Sequence, residues 1–226
     1  MDFVFDPSLV LYLPLYELDG SSFASKDAYG HLCTVTGALW RPNGRSFDGT
    51  DDYIKWDSSI STFASLAEGT IIVWFKTDTV TLDGYQTLFG ATDQSDSNSE
   101  VSLRTYNTGA RLMIREGGSW SILTDAIGTL TTTEWFCFAV TVDATGNKAF
   151  LQGLQQSFTY SVGDSNTQAF FNTVSDLDAI RLGYKAHSGA DKLPFSGLIG
   201  EFAIYNRALT PQEIQHNYLA TKWRYQ

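Results

Sequence analysis

The chain has 226 residues, a mass of 25.0 kDa and a formal net charge of −10 at pH 7. Because that charge repels phosphate backbones and anionic lipid surfaces, it argues against nucleic-acid binding and membrane attachment. The composition, 43% hydrophobic and only 18% charged, predicts one β-rich domain with a real core and with Thr, Ser, Asn and Gln on its outer faces.

The first predicted strand covers Leu9 to Leu13, and Pro14 interrupts it. Because proline cannot donate to a strand ladder, this strand should lie at a sheet edge or end there. The start, Met1 to Asp6, lacks a basic leader and a small-residue cleavage site, so no secretory signal peptide is visible. We expect an extracellular or virion-surface location, reached after a leader was removed or without one.

Short runs rich in Val, Ile, Thr and aromatics continue along the chain at intervals of roughly 8 to 12 residues, separated by Gly, Asn, Asp and Ser. This pattern predicts a β-sandwich. A tight reversal is expected between Val142 and Lys148. Beyond the first strand, the predicted strands are Leu32–Thr36, Tyr53–Trp56, Thr70–Thr77, Gln86–Gly90, Val101–Thr105, Arg111–Arg115, Trp120–Thr124, Trp135–Val142, Lys148–Leu151, Gln155–Ser161, Ala179–Gly183 and Leu198–Tyr205.

Some polar and sulfur residues bear on metal binding. The most polar stretch, Thr92 to Glu100, is either a mobile loop or an oxygen-rich cation loop. Cys33 and Cys137 lie in predicted strands, and we expect free buried thiols. The three histidines are not at ligand spacing, which argues against a zinc site.

Aromatic residues fall into two groups. Trp74 and Trp135 sit in apolar runs and are predicted to pack in the core. Others are flanked by Gly, Ser, Asn or charged residues, and aromatics that share one concave face can stack on sugar rings; scattered surface aromatics are the alternative. The candidate ligand-binding residues are Trp40, Tyr106, Trp120 and Tyr184.

The end of the chain carries a strand followed by a helix. From Leu198 to Tyr205 both faces are mostly apolar, so this strand should be buried between two layers. Thr210-Pro211-Gln212-Glu213 has the pattern of a capping box with proline at the first helical position. The only predicted helix follows, docking through Ile214, Tyr218 and Leu219 and fraying over Lys222 to Gln226.

Five segments resemble, in order, the laminin G-like jelly rolls of the concanavalin A-like lectin/glucanase superfamily. They are LVLYLPLYE, RSFDGTDDYIKW, GTIIVWFKTD, TTTEWFCFAVTVD and FSGLIGEFAIYNRALTPQEI. The resemblance implies an all-β fold, a two-sheet antiparallel jelly-roll sandwich with one short C-terminal helix, as a single domain over residues 1–226. The same fold hosts lectins, glucanases, adhesion modules and structural parts, so it does not decide a task.

The resemblance also implies one structural Ca²⁺. Carried over by matching motif, its ligands would come from Asp27, the Asp48-Gly49 turn and Glu201. A plain reverse turn built by Asp48, Gly49 and the carboxylates after them is the alternative. Glu201 is predicted to share a face with Ile199, Ala203 and Tyr205 and therefore needs a cation or hydrogen bonds, for which Arg45 or Arg181 is the alternative partner.

Catalysis is not expected. The glucanases of this superfamily carry Glu-x-Asp-x-x-Glu on one strand, and the nearest match, Glu17-Leu18-Asp19, lacks the second glutamate. No Gly-x-Ser-x-Gly elbow occurs either. The sequence favours a non-enzymatic recognition or adhesion module that binds a glycan or protein ligand. A structural or decoration protein on a particle such as a phage virion is the alternative, and homo-oligomerisation stays open.

Overall fold

A computed structural model describes residues 6–80, 84–96, 98–187 and 193–226. Two antiparallel sheets face each other, as the sequence predicted. The strands are β1 Leu9–Pro14, β2 Ser22–Ala24, β3 Leu32–Thr36, β4 Leu39–Arg41, β5 Gly44–Asp48, β6 Tyr53–Lys55, β7 Gly69–Thr77, β8 Tyr85–Thr92, β9 Glu100–Tyr106, β10 Gly109–Glu116, β11 Ser119–Thr124, β12 Phe136–Asp143, β13 Gly146–Leu151, β14 Leu154–Gln156, β15 Tyr160–Val162, β16 Ala179–Leu182 and β17 Ser196–Tyr205.

We call the two layers the back sheet and the front sheet. The back sheet has the order β14-β13-β12-β7-β17-β5-β4, with β1 also paired to β17. The front sheet has the order β15-β11-β10-β9-β8-β16-β6-β3-β2. The edge position predicted for the first strand is confirmed, because β1 pairs with β17 alone among the described strands and ends at Pro14.

The main core fills the space between the sheets with large aromatic and branched side chains. Trp56 stacks near Phe89 and Phe202, and each of these three rings is almost fully buried. Burying a side chain of this size contributes about 1.5–3 kcal/mol. Large aromatic side chains therefore help to join the two layers.

A second apolar cluster lies on the outer face of the back sheet, under the C-terminal helix. Trp74 is its centre, and its ring stacks on Tyr218 at 5.5 Å and on Tyr225 at 4.5 Å. Trp135 packs against the same cluster. Both tryptophans are packing residues, as predicted, although they pack outside the space between the sheets.

Strand β17 is buried on both faces, but its alternation is broken by a bulge between Ile199 and Glu201. Because a bulge inserts one residue, Ile199 joins Phe202 in the main core, and Glu201 faces outward with Ala203. The prediction that Ile199 shares a face with Glu201 is therefore wrong.

The prediction that helix is confined to the end of the chain is also wrong. A five-residue helix, α1 Ile60–Ala64, follows β6 and buries Phe63. Short 3-10 turns occur at Asp57–Ser59, Phe171–Thr173 and Lys222–Arg224. Elements of this length carry too few residues for a periodic signal. The same reason explains three short strands that were not predicted, β2, β4 and β5, and the division of Gln155–Ser161 into β14 and β15.

The C-terminal helix α2 Pro211–Thr221 begins as predicted. The Glu213 amide donates to Thr210 Oγ1 at 3.3 Å, and the Thr210 amide donates to Glu213 Oε2 at 2.8 Å. Leu219 is 40% exposed and does not dock. The predicted fraying is contradicted, because Tyr225 is buried against Trp74 beyond the helix end.

Both cysteines are free and buried, as predicted, with Cys33 on β3 of the front sheet and Cys137 on β12 of the back sheet. In the part of the chain that the structure describes, no helix combines the length and apolarity needed to cross a bilayer.

Candidate functional site

The outer face of the front sheet carries an unusual row of charged side chains. On β9, Glu100 and Arg104 share a face, and Val101 and Leu103 lie on the core side. The pairing of β9 with β10 sets Arg104 opposite Arg111. The same register sets Glu100 opposite Arg115, so two neighbouring strands place their charges on one surface.

A pocket of about 410 Å³ opens on this surface. We call it the front-sheet pocket. Its volume lies within the range of small-molecule binding sites. The pocket is lined by Tyr85, Glu100, Arg104, Arg111, Met113, Arg115, Trp120, Leu123, Lys185 and Leu193.

Glu100 anchors the cations of this pocket. Its carboxylate is fully buried and forms ion pairs with Arg104, with Arg115 at 3.1 Å and with Lys185 at 3.4 Å. Burial by itself would raise the pKa of Glu100, but the charges of these cations outweigh it and hold the pKa below its usual value. Glu100 is therefore a carboxylate whose charge is shared among three neighbours.

Arg111 is held in a different way. Its guanidinium carbon lies 4.8 Å from the centre of the Tyr106 ring and 5.5 Å from that of Tyr85, and the two rings stack on each other at 4.4 Å. The residue is only 6% exposed, and its Nε has no hydrogen-bond partner among the described residues. The aromatic pair thus supports a buried cation.

The described residues after β16, 183–187 and 193–195, lie against part of this face. The Thr87 amide donates to the Leu193 carbonyl at 2.8 Å, and the Thr92 hydroxyl donates to the Ala186 carbonyl. Gly90 of β8 lies beneath this segment, and a Cβ there would lie at an ordinary contact distance of 3.6 Å from the Tyr184 carbonyl. This contact carries Lys185 to the pocket.

The structure separates the four aromatic residues predicted to bind ligand. Trp120 lines the front-sheet pocket, with Arg115 4.6 Å from its ring centre, and Tyr106 lies behind Arg111. Tyr184 is buried against Tyr53. Trp40 lies on β4 of the back sheet, where its Nε1 donates to the Tyr16 carbonyl at 2.9 Å. Of the four, Trp120 lines the front-sheet pocket directly, and Tyr106 contributes to it only by supporting Arg111.

The residues predicted to hold calcium are also separated. Both Asp27 oxygens accept backbone hydrogen bonds, one of them from Tyr12 on β1. Asp48 pairs with Ser196 near the start of β17, whereas Glu201 lies five residues further on, about 16 Å along the strand. The predicted ligand set does not converge on one position.

A different acidic group forms at the Asp48-Gly49 turn. Carboxylate oxygens of Asp48, Asp51 and Asp52 lie within 4.8 Å of one another. Oxygen donors suit Ca²⁺, so this group fits the donor chemistry. The turn interpretation is also satisfied, because the Thr50 amide donates to Asp48 Oδ1 and the Asp48 amide donates to Asp52 Oδ2.

Glu201 has a different partner from those expected. Arg224, in the C-terminal 3-10 turn, donates to its Oε1 at 2.5 Å. Burial raises the pKa of Glu201 to about 7, and Arg224 lowers it only in part. Arg45 instead donates to the backbone carbonyls of Leu18 and Ala38, and Arg181 pairs with Asp57. Both alternative partners are therefore excluded by the structure.

The charged lining of the front-sheet pocket was missed in the sequence. Glu100 was placed in a polar loop, but it is the fully buried first residue of β9. The signal was present as charged residues four positions apart, Glu100 and Arg104 in and beside one predicted strand and Arg111 and Arg115 in the next, with apolar residues on the opposite face. Lys185 gave no such signal, because a covering loop brings it to the site.

Comparison with known proteins gives a family and a fold. A family model described as the concanavalin A-like lectin/glucanases superfamily matches residues 48–215. A search of curated protein sequences gave no match.

Solved structures with the same fold include whole enzymes and single modules. Trypanosoma rangeli sialidase in complex with sialic acid has a TM-score of 0.68 and 17% identity, over 97% of this chain and 34% of the sialidase. The chain thus spans about a third of that enzyme. Ruminococcus gnavus IT-sialidase CBM40 bound to α2,3 sialyllactose has a TM-score of 0.64 and 18% identity, over 80% of this chain and 96% of the module. The α2,6 sialyllactose complex of that module gives 0.65 and 18%.

Proposed function

Because the chain belongs to the concanavalin A-like lectin/glucanase superfamily, we propose that it is a non-catalytic carbohydrate-binding module whose ligand occupies the front-sheet pocket. The fold hosts many tasks, so the proposal depends on the site. The observation that carries it is a pocket of about 410 Å³ with aromatic rings and hydrogen-bonding side chains on one sheet face.

The lining suits the two-sided chemistry of a sugar ring. A pyranose presents apolar C–H groups on its faces and hydroxyl groups around its rim. The ring of Trp120 is half-buried and Tyr85 is 38% exposed, so both offer aromatic surface for the C–H groups. Arg104, Arg111, Arg115 and Lys185 line the same pocket and can donate hydrogen bonds to the hydroxyl groups of the rim.

The comparisons support a binding module of this size. The R. gnavus CBM40 structures are of a module bound to sialyllactose, and this chain covers 96–97% of its length. The match to T. rangeli sialidase covers only 34% of that enzyme. Hydrolysis by the common mechanism needs a pair of carboxylates across the sugar, and the described pocket lining contains one, Glu100, which is engaged by three cations.

Titration calorimetry against glycans selected on an array tests the proposal. Trp120→Ala should weaken binding at least about tenfold, since stacking on one aromatic ring contributes roughly 1.5 kcal/mol. Trp40→Ala is the matched control, because Trp40 is also partly exposed but lies on the back sheet. Equal loss in both variants, or release of sugar from a bound glycan, would contradict the proposal.

The alternative, a structural part of a particle surface, stays a prediction, as does an extracellular or virion-surface location. Light scattering tests the structural role, because a stable homo-oligomer that binds no glycan would favour assembly over recognition.

A further inference from the structure

We infer that the ligand of the front-sheet pocket is anionic, a saccharide whose carboxylate is bound by Arg111. This inference rests on the proposed function and names its ligand class. The whole chain carries a net charge of −10, yet the described residues that line the pocket include four cations and one carboxylate. Positive charge is thus concentrated at the one place where glycan binding is proposed.

Several cations are crowded together in this lining. Among the described lining residues, Arg104, Arg115 and Lys185 share the carboxylate of Glu100, and the exposed Asp96 also interacts with Arg115 and Lys185. Burial lowers the pKa of Lys185, and Glu100 opposes that shift. Cations packed this closely raise one another's energy, and an added anion would relieve that cost.

Arg111 stands apart from this network. Among the residues that the structure describes, no carboxylate lies within salt-bridge distance of its guanidinium. Stacking on Tyr106 and Tyr85 supports the charge, but a cation–π contact is worth only about 0.5–2 kcal/mol, less than a buried charge requires. An arginine that is 6% exposed and lines a pocket is therefore prepared for an incoming anion.

The chemistry of the site favours a carboxylate on a sugar. The planar guanidinium fork matches the two oxygens of a carboxylate, forming paired charge-assisted hydrogen bonds. Trp120 and Tyr85, both lining the same pocket, provide the surface for the ring that carries it. A polyanionic nucleic acid is disfavoured by the acidic remainder of the chain.

Two kinds of sugar present a carboxylate on a pyranose, a sialic acid and a hexuronic acid. Calorimetry with four probes separates the cases: sialyllactose, its methyl ester, lactose, and an oligogalacturonate. We expect the ester and lactose to bind about tenfold to a hundredfold more weakly than the acid, the range of a hydrogen-bonded ion pair. The acid that binds identifies the source of the carboxylate.

Variants assign the contact to Arg111. Arg111→Gln should remove the preference for the acid over its ester, and Arg111→Lys should restore it only in part because the fork is lost. Arg41→Gln is the matched control, an exposed arginine on β4 of the back sheet. Thermal unfolding of each variant confirms that it is folded.

The outcomes separate this inference from the proposed function. Equal affinity for the acid and its ester would overturn the anionic ligand and leave carbohydrate binding intact. Absence of binding to every glycan on the array would overturn both. A preference for the acid that persists in Arg111→Gln would overturn the assignment of the carboxylate to Arg111.

Discussion

Arg104 and Arg111 are directly opposite each other on β9 and β10, with both side chains on the outer face of the front sheet. Like charges at directly opposed positions of an antiparallel pair destabilise the sheet. Arg104 is compensated by Glu100, whereas Arg111 has aromatic rings as its described neighbours. Under the proposed function, this pair is a place where ligand binding competes with stability.

The first prediction concerns this competition. Arg111→Met should keep the packing against Tyr85 and Tyr106 and remove a buried charge, so we expect the free energy of unfolding to rise by about 1 kcal/mol. For a chain of this length, that is a gain of roughly 2–4 °C in melting temperature. Differential scanning calorimetry of the variant and the wild type measures this change in melting temperature. A clear loss of stability would show that Arg111 is a structural residue.

A substitution of Glu100 should have the opposite effect and destabilise the protein. Its pKa is lowered in the folded protein, so the carboxylate stabilises the fold at pH values above its unfolded pKa, and this contribution disappears as the pH falls through its folded pKa. Glu100→Gln should cost about 3–5 kcal/mol near neutral pH, since it leaves buried cations uncompensated. Urea unfolding across the acid range measures both effects; a variant as stable as the wild type would contradict them.

Glu201 should give a second pH dependence of opposite sign. Its pKa is raised from 4.5 to about 7, so the folded protein binds more protons than the unfolded chain between these values. Stability therefore falls as the pH rises through this window, by at most about 1.4 kcal/mol per pH unit. Glu201→Gln should flatten that slope. A wild-type profile that rises from pH 5 to 7, with the variant parallel to it, would contradict the prediction.

The start of α2 gives a simpler prediction. Thr210→Ala removes the side-chain oxygen that accepts from the Glu213 amide, and should cost about 1 kcal/mol. Thr210→Ser keeps that oxygen and is the control. Urea unfolding followed by circular dichroism measures the difference, and equal midpoints for the two variants would contradict a contribution from the cap.

A structural calcium ion stays a prediction, now centred on the Asp48, Asp51 and Asp52 group. If the group binds calcium, adding the ion should raise the melting temperature of the wild type, and a chelator should reverse the rise. Asp51→Asn should abolish the response, while Asp27→Asn should retain it because Asp27 lies outside the group. If calcium does not change the melting temperature of the wild type, calcium binding is contradicted and the group is a reverse turn only.

Most of the strands could be predicted from local pattern because a half-buried strand repeats its apolar side chains at every second residue. The prediction failed where that period is broken or too short to count. The bulge at β17 moved Ile199 into the core, and the five residues of α1 gave no helical period. The capping box of α2 was readable because all of its partners lie within four residues.

By itself, the sequence determined the sandwich, the docked helix and the free thiols, since these depend on alternation, local caps and the burial of apolar surface. Only the tertiary structure decided which polar residues meet. Glu100 and Arg111 come to one face through the register of two neighbouring strands, and Lys185, far along the chain, reaches the same pocket in the connection after β16. Glu201 likewise pairs with Arg224 rather than with Arg45, because the C-terminal turn packs across β17. Long-range pairing of charges is fixed by how the layers pack, and no local pattern encodes it.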